Sequence, residues 1–337
     1  MRFAPSDENV AFGQSLDDLL SRAGVVAAAR AWADGDSAPG RTVWAALAEL
    51  GVTGLAIAEE HGGVGGDATD LAVAFQALGY HGVPGPVVES IAVLPAVLTD
   101  ATQLRALADG AIGTVALAPR TPYLLDADAA DLHFVVGPDG AVATVDAPST
   151  PALRSVDRTR RLFPTELNTV TEGEPAGRIL RNSVQSGEVA GAFAVAAQVL
   201  GAGRRLLDDT VEYAKARSQY GKAIGEYQAI KHLLADVATR LELAAPLLHG
   251  AAVALSGNDS RGVDLDPIRD VSAARVAAAD AAYLAARTAL QVHGAIGYTA
   301  EYDLGLWITK VRALQSAWGT QAEHRATVLE RIRKAAR

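Results

Sequence analysis

The residues with the clearest chemical potential are one cation and two amides in the C-terminal half. Arg217 and Gln219 lie two positions apart, and Gln228 follows downstream. A guanidinium presents a planar fork of N–H donors that pairs with phosphate oxygens, and glutamine adds neutral hydrogen bonds. Taken alone, Arg217 is more simply explained as a helix-end arginine near Asp209 or Glu212, and the glutamines as residues that face solvent.

A second run, residues 291–297, combines an amide, an imidazole and small residues. It begins with Gln291 and contains His293, Gly294 and Ala295. Glycine permits close backbone approach to a ligand and turns that residues with a Cβ resist. The simpler explanations are a helix C-cap turn for the loop and a hydrogen-bonded core position for His293.

Several common catalytic chemistries are excluded. The chain has no cysteine, which rules out disulfides, thiolate metal ligands and cysteine nucleophiles. It contains no HExxH, CxxC or GxSxG motif. The glycines of residues 62–66 lack the strand-to-helix context and the following lysine of a phosphate loop. Asp264 and Asp266 precede Pro267 and fit the start of a helix, so no metal site is predicted.

Composition narrows the classes of partner. The net charge is −9 with a pI near 5.3, which argues against broad nucleic-acid binding because that needs a basic face. No run of about eighteen apolar residues is free of charge, so no membrane span is expected. Ser6, Asp7 and Glu8 interrupt any signal-peptide core at the N-terminus. These features, with the absence of cysteine, favour a cytoplasmic protein.

Three regions differ in character, and together they predict an α+β fold that is mostly α. Residues 1–110 are predicted to form an N-terminal helical domain, 111–182 a reduced β domain of about six short strands, and 183–337 a C-terminal four-helix bundle. Alanine, a strong helix former, dominates the first and last regions.

Local signals support particular elements within these regions. Residues 16–32 carry apolar side chains at helical spacing, and Asp67 or Thr69 is placed to cap a helix over 70–80. Residues 137–140 read Gly-Pro-Asp-Gly between two apolar runs, which predicts a hairpin. The apolar run at 189–203 predicts a buried core helix.

Four motifs carry a resemblance to a known family. They are LGVTGL at 50–55, EEHGGVG at 59–65, YAKARSQYGKAI at 213–224 and ALQVHGAIGY at 289–298. In this order and spacing, over nearly the whole chain, they resemble the acyl-CoA dehydrogenase family. The resemblance implies oxidation of an acyl-CoA thioester between its α and β carbons. A glutamate removes the α proton, and FAD accepts the β hydride.

The resemblance also assigns roles to the residues above. The counterpart of Arg217 reaches across a subunit interface to the FAD pyrophosphate, and the other matching residues complete the cofactor cradle. Ala295 replaces a second glycine that the family usually has, which is the smallest possible departure. The implied cofactor-binding residues are Arg217, Gln219, Gln228, Gln291, His293, Gly294, Ala295 and Thr320.

The catalytic carboxylate of that family is missing. Gly319, Thr320 and Arg325 match the motif that follows the usual base, and the base position itself is Trp318. An indole cannot accept a proton at neutral pH. Gly191 occupies the alternative base position that some members use, so no catalytic residue is predicted.

The nearby ionisable groups offer weak substitutes. Glu188 lies one helical turn before Gly191 and could act only if that helix shifted. Glu323 and His324 follow Trp318 closely, but helical spacing directs them elsewhere.

The middle region also lacks family segments. The TEPxAGSD and WIT stretches that contact the flavin ring and the acyl-CoA have no counterpart here. We therefore expect that the chain does not build its own isoalloxazine pocket.

The sequence thus predicts a non-catalytic, half-site subunit of a heteromeric FAD-dependent acyl-CoA dehydrogenase, resembling the shortened subunit of an α2β2 enzyme of bacterial steroid catabolism. A full-length partner subunit would supply the base and most of the acyl-CoA contacts, FAD would be shared, and an electron-transferring flavoprotein would accept the electrons.

Two alternatives remain open. One is a homo-oligomeric acyl-CoA dehydrogenase that uses an unconventional base, with Glu188 or Asp67 as candidates. The other is a scaffold or regulatory protein without FAD.

Overall fold

A computed structural model describes residues 6–117, 120–137, 140–165, 175–178, 181–257, 265–299 and 301–336 of the chain. For 175–178 and 181–183 it describes the backbone only.

The N-terminal region is helical. Asp67 accepts hydrogen bonds from the backbone N–H groups of Thr69 and Asp70, so the predicted cap of the fourth helix is confirmed. The helical spacing over 16–32 covers two helices, because Gly24 adopts φ +64° and separates them. The helices are α1 Asp7–Arg22, α2 Val25–Ala33, α3 Ala38–Glu49, α4 Ala68–His81, α5 Leu94–Val97 and α6 Ala101–Ala108, with a π-helical turn at Glu89–Val93 before α5.

A small β region follows. The strands are β1 Gly113–Leu117, β2 Tyr123–Leu125, β3 Leu132–Val136, β4 Ala141–Thr144, β5 Leu162–Pro164 and β6 Pro175–Arg178. Four of them form a sheet in the order β1-β3-β4-β6, and β2 pairs with β5. β1 and β3 run parallel, whereas β3 and β4 are antiparallel, which confirms the predicted hairpin. Pro138 and Asp139 of its turn lie outside the described residues.

The C-terminal region is a bundle of long helices. A two-stranded hairpin, β7 Ser218–Gln219 and β8 Lys222–Ala223, connects its first two helices. The helices are α7 Arg181–Ala216, α8 Gln228–Ser256, α9 Pro267–His293, α10 Leu304–Leu314 and α11 Gln321–Ala335. Together with the preceding helices and strands they form the predicted mostly helical architecture.

Helix α7 is the central element of the core. Residues 192–200 are buried, as the apolar run at 189–203 predicts. Glycines let α7 and α4 approach until their backbones touch: a Cβ on Gly79 would lie 1.9 Å from the carbonyl oxygen of Gln198, and one on Gly201 would lie 1.9 Å from that of Gln76. The N-terminal helices and the bundle therefore share one hydrophobic core.

Within the described part of the chain, no helix combines the length and the apolar character needed to cross a membrane.

Candidate functional site

Trp318 lies in the short loop between α10 and α11. Its side chain is 2% exposed, and its backbone adopts φ +54°, which is rare for a bulky residue. The indole Nε1 donates a hydrogen bond to Glu89 Oε1 at 3.0 Å. Burial and this hydrogen bond hold the ring in one place and stabilise the unusual backbone.

Gly319 allows the loop backbone to lie close to the side chains of His324 and Arg120. Its φ is +108°, and a Cβ there would lie 2.6 Å from His324 Nε2 and 2.8 Å from Arg120 Nη1. Thr320 then caps α11 through a reciprocal hydrogen-bonded box with Glu323. The Gly319 conformation and the Thr320 cap together set the direction in which Trp318 enters the core.

Gly191 faces the indole directly. A Cβ on Gly191 would lie 2.3 Å from Cδ2 of Trp318, so the ring occupies the space into which any side chain at position 191 would project. Positions 191 and 318, at which the sequence lacks a carboxylate, are therefore in direct contact in the fold. Neither residue can accept a proton there.

Glu89 is the residue that the sequence analysis missed. It is 1% exposed, and only Oε1 has a partner, namely Trp318 Nε1; Oε2 has no hydrogen-bond partner among the described residues. The signal was present in the sequence as a single acid within the apolar run 87–94. A buried carboxylate oxygen without a partner is uncommon and needs a functional or structural explanation.

The other ionisable groups near Trp318 are already engaged. Glu188 Oε1 accepts a hydrogen bond from Arg120 Nε at 3.0 Å. His324 contacts the carbonyl oxygen of Trp318 and the hydroxyl of Ser272, not the indole ring. Burial lowers the pKa of His324 to about 4, and the positive charge of Arg275 adds to the effect, so this imidazole is neutral at pH 7.

Arg275 secures the chain just before Trp318. This fully buried guanidinium donates hydrogen bonds from Nη2 to the carbonyl oxygens of Leu314 and Ala317. Burial lowers its pKa to about 10, which still leaves it charged at neutral pH. The end of α10 is thereby fixed to α9.

Two cavities lie beside the Trp318 indole. One of about 210 Å³ is lined by Glu188, His324 and residues of α9 and α11. The other, of about 670 Å³, lies between the β region and α10. Arg120 and Trp318 line both.

The residues predicted to bind the cofactor lie at a different part of the bundle. Arg217 follows the end of α7 and is exposed, and no described residue accepts a hydrogen bond from its guanidinium. Gln219 in β7 and Gln228 at the start of α8 are also exposed.

An aromatic stack connects the end of α7, next to Arg217, with the end of α9, which carries the 291–297 run. Tyr213, one turn before Arg217, stacks on His293 with a centroid distance of 4.1 Å and an interplanar angle of 23°. Tyr302 Oη lies 3.3 Å from His293 Nε2. The ends of α7 and α9 are therefore adjacent, although their motifs are far apart in sequence.

The residues of the 291–297 run differ in how many partners they already have. Nδ1 of His293 lies 2.8 Å from the carbonyl oxygen of Ala289, and Nε2 lies near Tyr302, so the imidazole already has partners on both nitrogens. Burial lowers the pKa of His293. Gln291, Gly294 and Ala295 are exposed, and Gly294 ends α9 with φ +64°. We expect cofactor contacts here to come from Gln291 and the backbone.

Thr320 lies apart from this cradle. Its hydroxyl accepts a hydrogen bond from the Glu323 backbone and donates one to the Glu323 side chain. No described contact links it to the Tyr213–His293 stack.

Comparison with known proteins identifies the family. A model of the acyl-CoA dehydrogenase N-terminal domain matches residues 6–104, and a model of the C-terminal domain matches residues 184–333. The chain is 32% identical over 312 residues to the acyl-CoA dehydrogenase IpdE2 of Mycobacterium tuberculosis, covering 91% of each protein. The chain belongs to the acyl-CoA dehydrogenase family.

Solved structures share the fold over the whole chain. The ChsE4-ChsE5 complex from Mycobacterium tuberculosis has a chain that is 21% identical, with a TM-score of 0.82 and coverage of 99% of this chain and 98% of that one. A variant of the Tcur3481-Tcur3483 steroid acyl-CoA dehydrogenase gives a TM-score of 0.82 at 22% identity, covering 98% and 99% of the two chains.

Acyl-CoA dehydrogenases are flavoprotein oxidoreductases, and FAD is their cofactor. The residues present here fit the nucleotide end of that group. The exposed Arg217 guanidinium, for which no described residue is a partner, lies with three exposed amides and the positive-φ Gly294 at the ends of α7, α8 and α9. A guanidinium without a partner is suited to a pyrophosphate brought by a ligand.

Proposed function

We propose that this chain is a non-catalytic subunit of a heteromeric acyl-CoA dehydrogenase and completes the FAD site of a catalytic partner. The observation that carries the proposal is the Trp318 indole, which fills the base position above Gly191. The complex would desaturate a CoA thioester between its α and β carbons.

Trp318 opposes catalysis in two ways. It offers no proton acceptor, and general-base catalysis requires one within hydrogen-bond reach of the α carbon. It also occupies the volume into which a side chain at 191 would project. The partner would therefore supply the base and most of the acyl-CoA contacts.

Arg217, Gln219, Gln228, Gln291 and the loop at Gly294 are the residues that would hold FAD. FAD, when bound, accepts the hydride from the β carbon. Arg217 would pair with the pyrophosphate, while the amides would fix the orientation of the cofactor through neutral hydrogen bonds. All of these residues lie at an exposed edge, which suits a cofactor shared with a neighbouring subunit.

The bundle offers a surface for that partner. Leu243 and Leu247 of α8 are 65% and 46% exposed and line a shallow groove with Val276 and Ala277 of α9 and Val328 of α11. Exposed apolar grooves of this kind are typical of subunit contacts.

The proposal also includes a substrate class, an electron acceptor and a cellular location. One solved relative of the same fold is described as a steroid acyl-CoA dehydrogenase, so a steroid-derived thioester is the proposed substrate class. An electron-transferring flavoprotein is the proposed acceptor, and an α2β2 assembly in the cytoplasm is the proposed context.

The decisive experiment measures flavin stoichiometry. The chain should copurify with a full-length family member that carries the catalytic glutamate, and the complex should contain one FAD per pair of unlike chains. The chain expressed alone should not oxidise acyl-CoA. Two FAD per pair, or turnover by the isolated chain, would overturn the half-site role.

Arg217→Ala tests the cofactor contact separately. We expect the complex to lose at least about tenfold in FAD affinity, since a charge-assisted pair to phosphate is removed. Arg22→Ala is the matched control, because Arg22 is another exposed arginine in the last turn of a helix. FAD retention that is equal in the two variants would favour a scaffold without flavin.

Glu89 favours a second candidate function, in which this chain has its own unconventional base. Its Oε2 is buried, has no hydrogen-bond partner among the described residues, and belongs to the carboxylate that accepts from the Trp318 indole. Glu89→Gln would then lower kcat of the flavin-loaded complex by about a hundredfold or more. Under the half-site proposal the same variant leaves kcat within about threefold of the wild type.

A further inference from the structure

Three aromatic rings meet where the proposed cofactor edge begins. Tyr213 of α7 stacks on His293 of α9. Tyr302, which lies before α10, is beside both rings, with centroid distances of 6.4 Å to Tyr213 and 5.3 Å to His293. His293 is 5% exposed, and the two tyrosines are half-buried. These three residues, the aromatic cluster, join three separate segments of the bundle.

The aromatic cluster is connected through the backbone to both parts of the cofactor edge. The backbone N–H of Arg217 donates a hydrogen bond to the carbonyl oxygen of Tyr213 at 2.8 Å. Gly294, which ends α9 with a positive φ, follows His293 directly. The stack of Tyr213 on His293 therefore sets the distance and orientation between Arg217 and the loop at Gly294.

The contacts of His293 define where its ring proton lies. Nδ1 lies 2.8 Å from the carbonyl oxygen of Ala289, and because a carbonyl only accepts, Nδ1 carries the proton. Burial lowers the pKa of His293, so the ring is neutral at pH 7. Nε2 of the neutral ring is an acceptor, and the Tyr302 hydroxyl, 3.3 Å away, must therefore donate to it.

Asp209 of α7 is the acid that opposes this neutral state, because its negative charge acts to raise the pKa of His293. Both of its carboxylate oxygens lie 2.8 Å from Nε of Arg205, which donates to them. The charge of Asp209 is thus balanced within α7, and Nε2 of His293 remains available to the Tyr302 hydroxyl.

We propose that His293 and Tyr302 are positioning residues, which align Arg217 with the loop at Gly294 so that both contact one cofactor. The inference rests on the proposed function, because it requires that FAD binds at this edge. His293 acts through its neighbours rather than on FAD, since both of its ring nitrogens have partners within the chain. A site that is aligned before binding loses less freedom on binding and so gains affinity.

Tyr302→Phe tests the alignment, because it removes the donor to Nε2 and keeps the ring. The complex with the partner subunit should lose about fivefold in FAD affinity, measured from the fluorescence of released FAD. Tyr298→Phe is the matched control, since Tyr298 is 78% exposed and lies four residues earlier. It should leave the FAD affinity unchanged, and denaturant unfolding should show that both variants are folded.

A double-mutant cycle separates positioning from a general effect on the fold. In the Arg217→Ala background, Tyr302→Phe should have almost no further effect on FAD affinity, because the guanidinium that it aligns is absent. An equal fold-loss in the two backgrounds would show that Tyr302 acts on the fold alone and would overturn the positioning role.

An NMR titration gives a second readout that a purely structural role would not change. With the chain labelled at histidine Cε1, the resonance of His293 is the one that is missing from His293→Gln. Tyr302→Phe should raise the pKa of His293, because a donor to Nε2 favours the neutral ring. An unchanged pKa would show that Tyr302 does not donate to His293, and the proposal would be wrong.

Failure of the proposed function gives a different pattern. If Arg217→Ala leaves the FAD affinity unchanged, the cofactor edge is wrong and the positioning role is rejected with it. If Arg217→Ala weakens FAD binding while Tyr302→Phe behaves like Tyr298→Phe, only the positioning role is rejected.

Discussion

Trp318 and Gly191 are complementary in size. Gly191 has no side chain, and the Trp318 ring fills the space that a side chain there would occupy. The indole also ties the C-terminal loop to the N-terminal region through Glu89. The ring leaves no room for a side chain at position 191, so at the scale of single residues one indole accounts for both positions.

Gly191→Ala should therefore destabilise the protein. Its Cβ would lie 2.3 Å from the indole, and overpacking of a well-packed core typically lowers the free energy of unfolding by about 1–3 kcal/mol. Denaturant unfolding measures the change. In a Trp318→Leu background the same substitution should lose most of its effect; an equal loss in both backgrounds would show that the indole is not the obstacle.

His324 makes stability depend on pH. Burial lowers its folded-state pKa to about 4, below the unfolded value near 6.5, so the unfolded state binds more protons between these values. The contribution is fully present above about pH 6.5 and is lost as the pH falls towards 4. From pH 7 to pH 5 the wild type should lose about 2 kcal/mol more than His324→Gln. Parallel unfolding curves for the two proteins at both pH values would contradict this.

Helices α4 and α7 pack at the closest distance that backbones allow. Gly79 and Gly201 form the contact from opposite sides, which brings α7 across the core and places Gly191 under the loop that carries Trp318. Arg275 fixes the other side of that loop by donating hydrogen bonds to the last carbonyl of α10, that of Leu314, and to the loop carbonyl of Ala317. The position of the indole is thus set by helix packing rather than by the loop alone.

Gly79→Ala tests the packing of these two helices. A Cβ would lie 1.9 Å from a backbone oxygen, which cannot move aside as a side chain can, so we expect a loss of about 2–4 kcal/mol in the free energy of unfolding. Gly305→Ala in α10 is the control, since no atom lies within 4 Å of its Cβ and alanine favours helix. Equal stability of the two variants would refute the close approach.

The whole molecule combines a buried indole at position 318 with two exposed surfaces. The edge around Arg217, where we propose that FAD binds, lies at the ends of α7, α8 and α9, and the groove around Leu243 lies along α8 and α9. A chain that had lost every contact with flavin and partner would be free to replace these residues with ordinary charged surface. Their presence is what connects the fold to the proposed assembly.

Leu243→Asp should weaken the assembly. A carboxylate in an apolar subunit contact would be desolvated without a partner, so the complex should dissociate at concentrations at which the wild type stays assembled. Light scattering coupled to size exclusion measures the mass. Val10→Asp is the control, because Val10 is 47% exposed on α1, away from the bundle groove. A complex that tolerates Leu243→Asp as well as Val10→Asp would place the interface elsewhere.

The sequence by itself determined the mostly helical fold, the hairpin between β3 and β4 and the absence of a carboxylate at positions 318 and 191, and it limited the cap of α4 to Asp67 or Thr69. These depend on local propensity and on residue type, which can be read one position at a time. The break at Gly24 was missed because apolar spacing continues on both sides of it.

Only the tertiary structure decided which residues surround the Trp318 indole. Trp318, Gly191 and Glu89 come from three distant segments, and no local pattern states that their side chains meet. The adjacency of Tyr213 and His293 likewise depends on how the long helices of the bundle pack against one another. Contacts between distant segments are set by the packing of the whole core, because each side chain takes the space that the other helices leave to it.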